Sequence, residues 1–260
     1  MKDHYGEVAV ARDGNVAVLT IDRPPHNHVT VDLMRDLADA LDHIDAEPQL
    51  RVSVLTSAGK SFCAGADLTA PSGLANPNAT QGINALYIEA VRLFSVRKPI
   101  VAAIQGAAVG AGLGLALVAD FRVAAPEARF SANFVKLGFH PGFGITHTLP
   151  RIVGEQHAAL MCLTGRRIKA DEALAWGLVD ELVPLGELRD AALKLAREIA
   201  EAAPLAVQAT RATLRTELAE RVKAQTDHEF EEQSALRKTA DFAEGVRAVA
   251  ERRPGRFTGT

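Results

Sequence analysis

Pro99-Ile-Val-Ala-Ala-Ile-Gln-Gly-Ala-Ala-Val-Gly-Ala-Gly-Leu-Gly114 is the stretch that decides how this chain folds. Its first part, Ile100 to Ile104, is an unbroken apolar run of strand length, the pattern of a strand buried on both faces. Its second part, Gly106 to Gly114, is dense in glycine and alanine and runs into an apolar helix over Leu115 to Ala119. Strand, small-residue turn and helix in that order make a βα unit. Such a turn leaves main-chain N–H groups unpaired at a helix start, where the partial positive charge favours an anion. Gly and Ala let a ligand approach that main chain closely. Two N–H groups converging on one oxygen would form an oxyanion hole. Close helix–strand packing uses the same small residues, so glycines alone leave both readings open.

A second loop of this kind, Ser61-Phe-Cys-Ala-Gly-Ala-Asp67, follows the apolar run Val52 to Thr56. Nucleotide motifs fit neither loop. Gly59-Lys60-Ser61 would end a phosphate-binding P-loop only if Val54 were glycine. A dinucleotide fingerprint begun at Gly110 and Gly112 needs its third glycine at Leu115, and one begun at Gly112 and Gly114 needs it at Leu117.

Outward from these loops, the chain alternates strands and helices and then turns helical. Val8 to Ala11 and Val16 to Ile21 are β-branched runs joined by Asp13-Gly14, a hairpin signal. Thr30 is placed to cap a helix whose apolar face carries Leu33, Met34, Leu37, Leu41 and Ile44, with Pro48 beyond its end. Thr69 to Gly82 reads as a mobile surface loop. A helix follows from Ile83 to Val96, and Phe121 to Ala125 is a strand. From Gly154 onward the pattern is almost all helix: Ala170 to Gly177, Leu188 to Ala202, Leu205 to Thr216, Leu218 to Lys238 and Phe242 to Arg252. The organisation is α/β over residues 1–200 with a helical C-terminal region over 201–260.

Of the 260 residues, 48% are hydrophobic and 23% charged, the profile of a globular chain able to bury its own core. A formal charge of -3 speaks against nucleic acid as partner. No apolar run approaches the roughly 20 residues of a membrane span, and the N-terminus lacks a signal-peptide core. Two cysteines, Cys63 and Cys162, set no disulfide framework, and a reducing cytoplasm is the expected location. His26 and His28 lie close together without a third ligand nearby, so they read as solvated loop histidines and no metal site is expected.

Taken together, several short motifs resemble the enoyl-CoA hydratase/isomerase (crotonase) family over nearly the whole chain. They begin with Ile21-Asp22-Arg23-Pro24 and Asn27, then Phe62-Cys-Ala-Gly-Ala-Asp67-Leu68, then Pro99 to Gly106 with Gly110-Ala-Gly112. Ala119-Asp120-Phe121-Arg122, Leu137-Gly138, Pro141-Gly142, Gly144 and Leu163-Thr164-Gly165 come next. Ala175-Trp176-Gly177-Leu178-Val179, Asp241, Glu244-Gly245 and Arg252-Arg253-Pro254 complete the series. The resemblance implies a spiral of ββα units with a helical C-terminal region that serves oligomer packing and the CoA site. It also implies a homotrimer or hexamer, and an acyl-CoA thioester as substrate. Coenzyme A enters as part of that substrate, with no tightly bound cofactor. The N–H groups of Ala66 and Ala111 would hold the thioester oxygen, and Arg23, Ala64, Asp67 and Arg252 would lie along the CoA. A solvated helix end is the other reading of Arg252, and a loop-fixing role the other reading of Asp67.

The likeness breaks where the hydratase chemistry resides. The family's two water-activating glutamates correspond here to Gly114 and Phe134, and acids used by its isomerases and a dehalogenase correspond to Lys136 and Gly142. General acid–base help is worth about 10²–10⁴-fold, so efficient hydration is not expected. His140, in Gly138-Phe-His-Pro-Gly142, is a candidate acid–base group because imidazole as a class suits proton transfer at neutral pH; a loop histidine bonded to main chain is the alternative. His147 reads as structural. Tyr87 and Glu89 face either the acyl pocket or a polar helix surface, and Cys63 reads as a small buried residue. Phe130, Phe134, Phe139 and Phe143, four of the 10 phenylalanines, line an acyl pocket or pack a core. Three functions follow: an enolate-stabilising enzyme named for the hydratase/isomerase family, a hydrolase using His140, or a non-catalytic acyl-CoA binder.

Overall fold

The structure is a computed structural model that describes residues 2–66 and 80–260. Strands β1 (His4–Tyr5), β2 (Val8–Asp13) and β3 (Val16–Ile21) open the chain as antiparallel neighbours, with Asp13 opposite Val16 across the Gly14 turn. Helix α1 (Val31–Ala46) starts at Thr30, whose hydroxyl accepts from Leu33 N at 3.1 Å, and buries the face read from the sequence. Then come β4 (Val52–Ser57), α2 (Thr80–Phe94), β5 (Ile100–Ile104), β6 (Ala107–Val109) and α3 (Ala111–Val118). β7 (Phe121–Ala124) and β8 (Arg129–Ser131) lead through a 3₁₀ turn, Asn133–Leu137, into α4 (Ile145–Thr164). After β9 (Ile168–Lys169), α5 (Ala170–Ala175) and β10 (Glu181–Leu182), the remaining elements are α6 (Leu188–Glu201), α7 (Pro204–Leu214), α8 (Leu218–Leu236) and α9 (Ala240–Ala250).

Seven strands form one sheet in the order β1-β2-β3-β4-β5-β7-β10, parallel from β3 onward; β6, β8 and β9 form a second. Both faces of the large sheet are covered, which explains its unbroken apolar runs. Val16, Val18, Val52, Val54, Val101 and Val123 meet Leu188, Ala192, Leu193 and Ala196 of α6. On the other face Leu19, Ile21, Leu55, Ile100, Ala102 and Ile104 join the main core with α1 and α3. α8 packs on α2 and α4, and α9 packs on the 3₁₀ turn. Among the described residues, no helix is long and apolar enough to cross a membrane.

Three boundaries differ from the sequence expectation. α2 begins at Thr80 rather than Ile83, and residues 69–79 of the expected loop lie outside the described residues. α3 begins at Ala111 rather than Leu115: all eight of its residues are buried, so packing overrides the poor helix propensity of Gly112 and Gly114. α4 begins at Ile145, well before Gly154, where φ of 78° marks an internal kink.

Candidate active site

Parallel strands β3, β4 and β5 end on one edge of the sheet, and the loops after them build the site, as the carboxyl ends of parallel strands commonly do. Asn27 holds two of these loops together. Fully buried at φ of 50°, it donates from Nδ2 to Ala58 O (2.7 Å) and Ser61 O (2.8 Å) and accepts from Arg23 N at 3.0 Å. Gln105 Nε2 donates to Ser57 O and Ser61 O from the third loop. The segment Cys63–Ala66 is then clamped from both sides. Val29 N donates to Gly65 O (2.9 Å), Cys63 N to Ala107 O (2.9 Å) and Val109 N to Cys63 O (3.0 Å).

This clamp brings Ala66 beside Ala111. A side-chain carbon at position 65 would lie 2.8 Å from Val109 O and 3.8 Å from Ala111 N, so at φ of 94° only glycine lets the two loops approach this closely. Ala111 is the first residue of α3. Leu113 N and Gly114 N turn back to Gly110 O, but Ala111 N precedes the first intrahelical bond. Among the described residues, neither Ala66 N nor Ala111 N has an acceptor.

Both alanines border a cavity whose walls are Leu86, Leu137, Phe134, Phe139 and Phe143, with Ala64, Gly65 and Gly110 at the loop side. No carboxylate lines it among the described residues. A side chain at Gly114 would meet the Phe143 ring at 2.6 Å, so that ring fills the space beside α3. Phe143 sits at φ of 65°, a conformation that costs a bulky residue on the order of 1–3 kcal/mol and is held here by its surroundings. Phe130 is fully buried and belongs to the core rather than to the cavity wall. Tyr87 and Gln233 close one side: Tyr87 Oη donates to Gln233 Oε1 at 2.7 Å, and burial raises the phenol well above its ordinary range.

The other sequence-derived candidates lie elsewhere. The His140 ring is half-buried outside the cavity lining, with Nδ1 2.7 Å from Pro141 O and the His228 ring 6.0 Å away. Its carbonyl accepts from Gln233 Nε2 at 2.8 Å. Arg23 pairs with Glu7 at 3.0 Å, and Arg252 is exposed just beyond α9. Asp67 lies outside the described residues. Glu89 turns to Arg35 (3.3 Å) and Arg92 (2.6 Å) in an ion-pair cluster between α1 and α2. Burial pushes the Cys63 thiol up to about 12, which leaves it unreactive.

Sequence reasoning missed Gln233, Asn133 and Glu229. A signal for two of them exists on α8: Leu218, Val222, Thr226, Glu229 and Gln233 fall on one buried helical face, and its last three members are polar. Glu229 accepts from Gly144 N (2.7 Å), Thr146 N (3.2 Å) and Thr146 Oγ1 (2.6 Å), so a residue of α8 satisfies the open start of α4. Burial pushes its carboxyl up to about 7, against the pull of these donors. Between the ordinary 4.5 and about 7, the unfolded chain has released this proton while the native chain keeps it. The stability it contributes is therefore complete below about 4.5 and lost as pH rises through about 7. We expect the melting temperature of the wild type to fall more steeply than that of Glu229→Gln between about pH 5 and 8. Parallel slopes would show that Glu229 is ionised throughout.

The enoyl-CoA hydratase/isomerase family model matches residues 11–260. A probable enoyl-CoA hydratase of Mycobacterium tuberculosis is 41% identical over 213 residues, 81% of this chain and 82% of that protein. The carnitinyl-CoA dehydratase of Escherichia coli is 38% identical over 208 residues, 80% of this chain and 79% of its own length. A crystal structure of an enoyl-CoA hydratase/isomerase from Pseudoalteromonas atlantica superposes with a TM-score of 0.88 at 32% identity, covering 97% of this chain and 100% of that one. The fold is that of the crotonases. The chain belongs to the enoyl-CoA hydratase/isomerase family and is an acyl-CoA enzyme of that kind.

Proposed function

We propose that the enzyme binds an acyl-CoA thioester with its carbonyl oxygen between the N–H groups of Ala66 and Ala111, and stabilises the enolate formed when the α-carbon gives its proton to water or a buffer base. The observation that carries this is the pair of unpaired N–H groups, one at a helix start, bordering an apolar cavity. Negative charge developing on the thioester oxygen would meet two fixed donors and the positive end of α3 in a dry setting. By resemblance Gly114 and Phe134 take the positions of the family's glutamates, and the Phe143 ring fills the space beside Gly114, so rapid water addition is not part of this function. The His140 ring lies outside the cavity wall formed by the described residues, so it does not carry this reading. Family resemblance further supports a trimer or hexamer, a CoA site that includes Arg23, Ala64, Asp67 and Arg252, a helical C-terminal region over residues 201–260, and a cytoplasmic location.

The cavity is small, about 60 Å³, so a short four-carbon acyl group is the simplest probe. With crotonyl-CoA we expect thermal stabilisation and little loss of the conjugated enoyl absorbance. With butyryl-CoA in deuterium oxide, we expect exchange of the α-protons. Rapid hydration would overturn the assignment of Gly114 and Phe134. Binding without exchange would leave the site a binder rather than an enzyme of enolates.

A further inference from the structure

Three side chains with hydrogen-bonding groups line the cavity among the described residues: Tyr87, Gln233 and Asn133. The first two satisfy each other, and Gln233 Nε2 is also spent on His140 O. The Asn133 amide has no protein partner among the described residues. Its position is fixed by what surrounds its main chain. Asn133 opens the 3₁₀ turn that carries Phe134, and a side-chain carbon at Gly165 would lie 3.2 Å from Asn133 Cα, so helix α4 ends tightly behind it. In front, a side-chain carbon at Gly110 would lie 3.3 Å from Asn133 Oδ1. Gly110 is the residue immediately before Ala111, so the amide stands beside one of the two N–H groups proposed to hold the thioester oxygen.

Resting on that proposed acyl-CoA site, we infer that Asn133 is the side chain that hydrogen-bonds an oxygen substituent, or a bound water, at the reacting end of the acyl group. An amide offers two donors and two lone pairs but takes no proton near neutral pH. Asn133 therefore orients an oxygen that the surrounding phenyl and leucyl walls cannot solvate, and it discriminates in favour of acyl groups that carry one. The discrimination is of a known kind: a site with a free polar group in an apolar wall loses that bond with the deoxy analogue.

The test compares 3-hydroxybutyryl-CoA with butyryl-CoA, which differ by one hydroxyl, binding to the wild type and to Asn133→Ala by titration calorimetry. The wild type is expected to favour the hydroxyacyl thioester by about tenfold, the value of one good hydrogen bond. In Asn133→Ala the preference disappears while butyryl-CoA affinity is kept. The amide bonds no protein group among the described residues, so the variant should melt with the wild type, and a melting curve verifies this. Equal affinities in the wild type, or a preference that survives in Asn133→Ala, would overturn the role of Asn133 alone. Failure of the wild type to bind either thioester would instead overturn the acyl-CoA site itself.

Discussion

Replacing Ala111 with proline is expected to lower the rate of α-proton exchange on an acyl-CoA by about 10²–10³-fold, the usual consequence of removing one oxyanion donor, with the fold intact. Position 111 is suited to this substitution. It is the first residue of α3, where proline is favoured because its missing N–H has no intrahelical acceptor to lose. The residue before it, Gly110, tolerates the restriction that proline imposes on its neighbour better than any residue with a side chain would. The substitution thus deletes one donor with minimal disturbance of the surrounding main chain. Melting curves would be compared with exchange rates measured under saturating butyryl-CoA. Wild-type exchange in a well-folded Ala111→Pro would remove Ala111 N–H from the mechanism. A large drop in melting temperature would instead report strain in the turn, and Ala111→Gly, which keeps the N–H, should then retain activity.

The parts of this site that could be read from sequence were those fixed by local main-chain chemistry. The Asp13-Gly14 hairpin, the Thr30 cap and the two small-residue loops each depend on residues a few positions apart, and their signals are strong. The start of α3 was obscured because glycine is a poor helix former, and only tertiary burial on every side makes a helix of Ala111–Val118. Strands of two or three residues, such as β6 and β10, are too short to show an alternation. The polar side of the cavity was hidden for a different reason. Tyr87 and Gln233 are separated by 146 positions and meet only because α2 packs on α8. The likeness to crotonases directs attention to positions 114 and 134, but only the structure shows the Phe143 ring against Gly114.

Asp120→Ala is expected to cost about 3–5 kcal/mol of folding stability, the range for stranding buried charges without their partner. The Asp120 carboxylate accepts from Ile100 N (2.8 Å), from Arg211 Nε at both oxygens (3.0 and 2.9 Å) and from Arg215 Nη1 (2.9 Å). These contacts tie the end of α7 to the start of β5 and the end of α3. Arg211 also donates to Val96 O, and Arg215 Nη2 donates to Val118 O at 3.1 Å. Only 9% of the Arg211 side chain and 14% of the Arg215 side chain are exposed, so water replaces the carboxylate poorly once it is gone. Nor does a guanidinium escape by losing its proton, although burial lowers the pKa of Arg215. Urea unfolding curves would give the cost as a shift in midpoint at constant slope. If stranded charge is the cause, exchanging both arginines for methionine in an Asp120→Leu background should recover most of the loss, because a matched apolar set is often as stable as a buried ion pair. Should the triple variant remain as unstable as Asp120→Ala, the contribution of the network lies in its main-chain bonds to Ile100, Val96 and Val118 rather than in its charges.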